Sequence, residues 1–153
     1  MTHPEIGERI EPFDATNQLG QTVRLPGDSW WLLVFYPYAF TGIGSGELRV
    51  LKALRPQFDA LGCRIAAISC DSPFALRVFA DSEGFWWSMI SDHWPHGKIA
   101  KRFGVFDEKL GIAQRASFLF DPQSRLRWLA AYDPSRPRDL QAHLDALRRL
   151  RAE

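Results

Sequence analysis

The chain has 153 residues and a mass of 17.5 kDa, which suits one domain with a sizeable core and is too short for two of ordinary size. Its 19 basic and 18 acidic side chains give a net charge of +1, so charge gives no reason to expect a nucleic acid as a partner. The longest apolar run, Trp30 to Phe35, falls far short of the roughly 20 residues that span a bilayer. Because no signal peptide is recognisable either, we expect a cytoplasmic protein without membrane contact.

The predicted elements alternate between strands and helices. Residues 1–28 read as irregular except for a hairpin near 17–20, and residues 30–36 predict a strand buried on both faces. Leucines and a phenylalanine at spacings of three and four predict a helix over about 46–61. A second buried strand is predicted over 64–69.

The second half of the chain continues this alternation. Asp71 or Ser72 as a cap, with Pro73 at the first position, predicts the start of a helix that ends at Gly84. Its predicted apolar face carries Phe74, Ala75, Val78 and Phe79. The remaining predicted elements are a short helix over about 95–103, strands over 116–120 and 125–131, and a last helix over about 138–150.

This order predicts an α/β protein with the thioredoxin-like fold, a central mixed β-sheet flanked by helices, as a single domain over residues 1–153. A strand–helix–strand unit demands a right-handed parallel crossover, and the late pair of strands adds an antiparallel hairpin to the same sheet. Ligand sites in such sheets lie beyond the carboxyl ends of the parallel strands. We therefore expect the site near the turn 37–45 and just after Ser69.

The segment from Phe35 to Leu48, FYPYAFTGIGSGEL, resembles the active-site loop of peroxiredoxins, the AhpC/TSA redoxins, whose pattern is Pro-x-x-x-Thr-x-x-Cys followed shortly by Glu. Pro37, Thr41 and Glu47 stand at the matching positions.

The segment from Ser91 to Asp121 is similar to AhpE-type one-cysteine peroxiredoxins, with a Trp-Pro-His-Gly motif and with Arg115 before a late strand. The resemblance runs from about Ile6 to Leu150. It implies the peroxiredoxin variant of the thioredoxin fold and a homodimer, for which Trp94 and Phe106 are candidate exposed anchors.

The chain departs from the family pattern at the reactive position, because Gly44 stands where the resemblance places the peroxidatic cysteine. In the family that thiol is held as a thiolate and attacks the peroxide oxygen. A glycine cannot do this chemistry. The resemblance therefore implies an oxidoreductase-like scaffold without conventional thiol peroxidase activity.

The remaining groups of the loop predict a small-molecule pocket. Backbone amides near Gly44, the Thr41 hydroxyl and the Arg115 guanidinium suit a carboxylate or a carbonyl oxygen. The side chains of Tyr38 and His93 are available for acid–base chemistry. The predicted catalytic residues are Thr41, Arg115, Tyr38 and His93, and the predicted substrate-binding residues are Pro37, Thr41, Gly44, Glu47, Trp87 and Arg115. No cofactor and no metal is expected.

Two alternatives remain open. Cys70, predicted at the carboxyl end of the second buried strand, is a candidate relocated thiol, which would make the chain a peroxidase of the original class. Cys63, at the other end of that strand, is expected to be an inert apolar side chain. The second alternative is a non-catalytic dimeric protein. The arginines near the carboxyl terminus, among them Arg136 and Arg138, are predicted to form a solvated face.

Overall fold

The computed structural model describes residues 2–133 and 135–153. In chain order its elements are β1 (Phe13–Asn17), β2 (Thr22–Leu25), β3 (Trp30–Phe35), α1 (Gly42–Ala60), β4 (Cys63–Ser69), α2 (Pro73–Glu83), β5 (Ser88–Ser91), α3 (Lys98–Arg102), β6 (Phe106–Asp107), β7 (Ile112–Ala113), β8 (Ala116–Phe120), β9 (Leu126–Ala131) and α4 (Leu140–Arg151).

The main sheet of the described residues has the strand order β2-β1-β5-β4-β3-β8-β9. β3 pairs in parallel with β4, from Trp30 opposite Cys63 to Phe35 opposite Ile68, and in the antiparallel sense with β8. The predicted parallel pairing of the two buried strands is confirmed. Both strands lie in the middle of the sheet. Because they run in the same direction, their carboxyl ends lie at the same edge of the sheet.

Two apolar layers cover the faces of this sheet. Alternate side chains of β3 explain the division: Leu32 and Val34 pack among α1, α2 and α4, whereas Leu33 and Phe35 pack on the α3 side. All six residues of β3 are buried, as expected of a strand covered on both faces. No helix among residues 2–133 and 135–153 has the length and apolar character of a membrane span.

The hairpin, the helix of residues 73–83 and the late pair of strands form as predicted, but α1 begins earlier than its apolar period indicates. Residues 42–45, predicted as part of a turn, are its first turn. Thr41 caps the helix, since its side chain accepts a hydrogen bond from the Gly44 amide, and a cap can start a helix through glycines of low propensity. β5 was not predicted, because a strand of four residues gives little periodicity.

The predicted apolar face of α2 is wrong for two of its four residues, while Phe79 is buried as predicted and Ala75 is half-buried. Phe74 and Val78 are 83% and 62% exposed, and the buried side chains are Leu76, Phe79 and Ala80. These three share one stripe at spacings of three and four, and that stripe packs toward the sheet. The sequence carries apolar residues on two stripes of this helix, so the pattern alone does not select the inner one.

Candidate functional site

The loops that follow β3 and β4 are tied to one another at the carboxyl edge of the sheet. The Ala39 amide donates to Oδ2 of Asp71 at 2.9 Å, and the Ser69 hydroxyl donates to the same oxygen at 2.7 Å. Thr41 Oγ1 accepts from the Gly44 amide at 3.3 Å and donates to the Tyr38 carbonyl at 3.2 Å. The first turn of α1 is thereby fixed in place.

Gly44 lies in that turn and is closely surrounded. A Cβ atom at this position would lie 2.7 Å from Thr41 Oγ1 and 3.0 Å from the Tyr38 carbonyl oxygen. These distances are too short for an ordinary contact, so any side chain here requires the capping hydroxyl to move. The local packing is fitted to glycine.

Beneath this turn, the carboxylate of Glu47 lies between two guanidinium groups. One oxygen pairs with Arg115, and the other accepts from the Nε and the backbone amide of Arg138, each at 2.8 Å. All three residues are buried. Glu47 therefore holds both guanidinium groups in fixed positions beside the first turn of α1.

Arg138 corrects the prediction of a solvated arginine face. Its side chain is fully buried and donates to the Ala116 carbonyl at 3.0 Å, to Ser117 Oγ at 2.9 Å and to the Phe35 carbonyl at 2.5 Å. Burial lowers the pKa of Arg138, and Glu47 opposes this shift.

The position of Arg138 in the sequence could have revealed this role. It directly precedes Asp139, which caps α4. A cation at a helix amino terminus is unfavourable unless an acidic partner holds it. Through its hydrogen bonds to Phe35, Ala116 and Glu47, Arg138 links the end of β3 and the start of β8 to α1.

A buried histidine extends this network. His143 Nδ1 lies 2.7 Å from the Asp139 carbonyl oxygen, which can only accept, so Nδ1 carries the proton. Burial, the largest cause, lowers the pKa of His143 to about 4, so its ring is neutral at neutral pH. Nε2 consequently accepts from the Ser117 hydroxyl at 2.6 Å, and the oxygen of Ser117 accepts from Arg138.

Pro37 and Tyr38 line a neighbouring pocket of about 290 Å³. Cys70, Asp71, His96 and Leu110 are among its other lining residues. Tyr38 is 43% exposed, so a ligand in this pocket could reach its side chain.

His93 and Trp87 lie at opposite edges of the sheet. His93 is exposed in the loop after β5, at the same edge of the sheet as Tyr38. Trp87 directly precedes β5, at the opposite edge, and stacks on Phe85 at 4.8 Å within the core. The structure therefore joins Thr41 to Gly44 and Glu47 to Arg115, both pairs involving the start of α1. It places Pro37, Tyr38 and His93 at the same edge of the sheet and separates Trp87 from them.

Both cysteines are buried with free thiols. Burial raises the pKa of each to about 12, and for Cys70 the carboxylates of Asp92 and Asp71 add to the shift. Cys63 lies at the far end of β4 from the site. Among the described residues, no group of three or more His, Cys, Asp or Glu side chains is placed to hold a metal.

Comparisons with known proteins agree with this architecture. Residues 6–129 match the AhpC/TSA family. The chain is 40% identical over 150 residues to alkyl hydroperoxide reductase E of Mycobacterium tuberculosis, covering 96% of this chain and 98% of that relative.

Among solved structures, Enterococcus faecalis AhpC is similar with a TM-score of 0.86 and 26% identity, over 99% of this chain and 94% of that one. Peroxidoxin BcpB from Mycobacterium tuberculosis is similar with a TM-score of 0.85 and 27% identity, over 98% of both chains. The predicted thioredoxin-like fold is confirmed. The chain therefore belongs to the AhpC/TSA family of peroxiredoxins.

Proposed function

We propose that this chain is a peroxiredoxin-fold protein that does not act as a conventional thiol peroxidase. Peroxide reduction in the family is a displacement by a thiolate at the position that we align with Gly44. Glycine has no side chain to attack with, and the first turn of α1 holds neither Cys63 nor Cys70. The scaffold remains, and the nucleophile is absent from its usual place.

We further propose that the former peroxide site binds a small molecule through a carboxylate or a carbonyl oxygen. The observation that carries this proposal is the buried cluster of Glu47, Arg115 and Arg138, which places two guanidinium groups and one carboxylate beside the start of α1. Guanidinium groups donate strong hydrogen bonds to carboxylate oxygens, and they also suit a carbonyl oxygen. The Thr41 hydroxyl at the cap of the same helix adds a further hydrogen-bonding group.

Any reaction at this site would use the groups at its mouth. Tyr38 is exposed and lines the neighbouring pocket, and His93 is exposed in the adjacent loop. Both side chains can exchange a proton with a bound ligand. Thr41 and Arg115 would orient the ligand and stabilise negative charge on its oxygen.

The rival function is a peroxidase that uses Cys70, and the names of the relatives favour it. Against it, burial and two nearby carboxylates hold the pKa of Cys70 near 12, so the reactive thiolate is scarce at neutral pH. A thiol-blocking reagent separates the two functions, because only the rival needs a cysteine.

A homodimer remains part of the proposal. Trp94 is 84% exposed, and an indole of this size in water favours burial against a partner. Phe106 is half-buried nearby in the chain, where it contacts His96 with a ring separation of 6.0 Å. A dimer without catalysis is the second rival, and it predicts no small-molecule ligand.

Titration calorimetry with benzoate and pyruvate tests the ligand proposal. We expect millimolar or tighter binding in the wild-type chain, at least tenfold weaker binding in Arg115→Lys, and weaker binding in Thr41→Val. Thr16→Val changes the same residue type at an exposed position of β1 and should bind normally. If neither acid binds, or if both site variants bind as well as the wild type, the proposed function is wrong.

A further inference from the structure

A cleft of about 830 Å³ lies at the opposite edge of the sheet, where the parallel strands begin. It lies between the β1–β2 hairpin, the starts of β3 and β4, and the β8–β9 turn. Its volume is within the range of roughly 300–1,000 Å³ that is usual for pockets holding small ligands. The proposed carboxylate site is at the carboxyl edge, so this cleft is separate from it.

Positive charge predominates in the lining of this cleft. Three arginines line it, Arg9, Arg24 and Arg64, against one acidic residue, Asp28. Arg9 pairs with Glu11 at 2.9 Å and Arg24 pairs with Asp14 at 3.1 Å, and all four side chains are largely exposed. Exposed pairs of this kind contribute little free energy, so a ligand phosphate can displace the carboxylates.

Arg64 is held in a different way. It stands opposite Trp31 in the register of β3 and β4, and its guanidinium lies 4.7 Å from the centre of the indole ring. Asp59, which lines a neighbouring pocket together with Arg64, is paired with Arg55 at 3.6 Å. Within the described residues, no carboxylate forms an ion pair with Arg64.

This contact with Trp31 holds a residue that can bind a ligand in two ways. A guanidinium has a planar face on which a ligand ring can stack. Its N–H groups form a fixed fork that suits phosphate oxygens. The cleft thus combines a stacking platform with three phosphate-binding groups.

We propose that this cleft is a second ligand site, which takes a phosphate ester carrying a planar ring, of the size of a nucleotide. The ring stacks on Arg64, and the phosphates contact Arg9 and Arg24. Nothing in the proposed carboxylate site is needed for this binding, so the two proposals can fail independently.

Titration calorimetry of the full chain with AMP and ADP tests the proposal. We expect binding in the wild-type chain, tighter for ADP than for AMP, that saturating benzoate does not weaken. Arg64→Ala should weaken ADP binding at least tenfold, and Arg64→Lys should weaken it less, because it keeps the charge but loses the stacking plane. The matched control is Arg55→Ala, since the Arg55 guanidinium lies at the same distance of 4.7 Å from the centre of the Trp86 ring and outside the cleft.

Several results would overturn the proposal. Affinity weaker than about 1 mM for both nucleotides would show that the cleft is not such a site. Equal affinity for inorganic pyrophosphate and ADP would show that the ring plays no part. An unchanged affinity in Arg64→Ala, or competition by benzoate, would place nucleotide binding elsewhere.

Discussion

Glu47 accepts two hydrogen bonds from Arg138, one from Nε and one from the backbone amide, each at 2.8 Å. This contact joins the first part of α1 to the segment that precedes α4, which lie 91 residues apart in sequence. The same arginine also bonds to the ends of β3 and β8. It therefore determines where the start of α1 stands relative to the sheet.

Replacing Arg138 should destabilise the fold strongly. Arg138→Leu leaves the buried Glu47 with one partner fewer and several carbonyl groups without donors, so we expect a loss of about 3–5 kcal/mol in the free energy of unfolding. Arg136→Ala, at an exposed position two residues earlier, should change it by less than about 0.5 kcal/mol. Urea unfolding of both variants measures the difference, and equal effects would contradict the assigned role of Arg138.

The neutral His143 predicts a specific dependence of stability on pH. Its pKa is about 4 in the folded chain, against 6.5 for the free side chain. Between these values the unfolded chain binds a proton that the folded chain does not, so the free energy of unfolding decreases as the pH falls from 6.5 to 4. The decrease from this group reaches about 3 kcal/mol.

His143→Gln serves as the control for that measurement, since it removes the titrating group. Unfolding of the wild type and of this variant should be compared at several values between pH 7 and pH 4. We expect the wild type to lose more stability over this range. Parallel curves for the two proteins would show that His143 does not resist protonation.

Gly44 and Gly46, two of the glycines near the start of α1, should respond in opposite directions to alanine. A Cβ at Gly44 meets Thr41 and the Tyr38 carbonyl, so Gly44→Ala should lower the unfolding free energy by about 1–2 kcal/mol. A Cβ at Gly46 meets nothing within 4 Å, so Gly46→Ala should raise it by up to about 1 kcal/mol. Stabilisation by both substitutions would contradict the close fit around Gly44.

The oligomer prediction is tested through Trp94. Sedimentation velocity at tens of micromolar should show a dimer for the wild type and a monomer for Trp94→Glu. Trp86→Glu is the matched control, because Trp86 is also exposed, at 60%, but stacks on Arg55 in another region. A monomeric wild type would refute the dimer.

The central sheet could be predicted from the sequence because its strands are unusually apolar. Residues 30–36 form a continuous apolar run, which indicates burial on both faces, and the cap at Ser72 and the end at Gly84 follow from local chemistry. β5 and the true inner face of α2 depend on which neighbours they meet in three dimensions. Local patterns do not contain that information.

The candidate site was predictable only in part, for the same reason. The loop residues Thr41, Gly44 and Glu47 follow one another in a recognisable spacing, and Arg115 precedes a strand that returns to them. Arg138 lies 91 residues beyond Glu47, so no spacing pairs the two, and only its place directly before the cap of α4 distinguishes it. Trp87 shows that closeness in sequence does not imply closeness in space. It lies six residues before His93 in the chain but at the opposite edge of the sheet.

The most direct test of the proposed function is hydroperoxide consumption by the wild-type chain with an added thiol reductant, beside Cys70→Ser and Gly44→Cys. We expect the wild type and Cys70→Ser to remain at background, because neither carries a thiol at the first turn of α1. Gly44→Cys places one there, where its pKa should fall below about 8.5 near the helix amino terminus and the guanidinium groups. Turnover by the wild type that Cys70→Ser abolishes would contradict the account and assign the chemistry to Cys70.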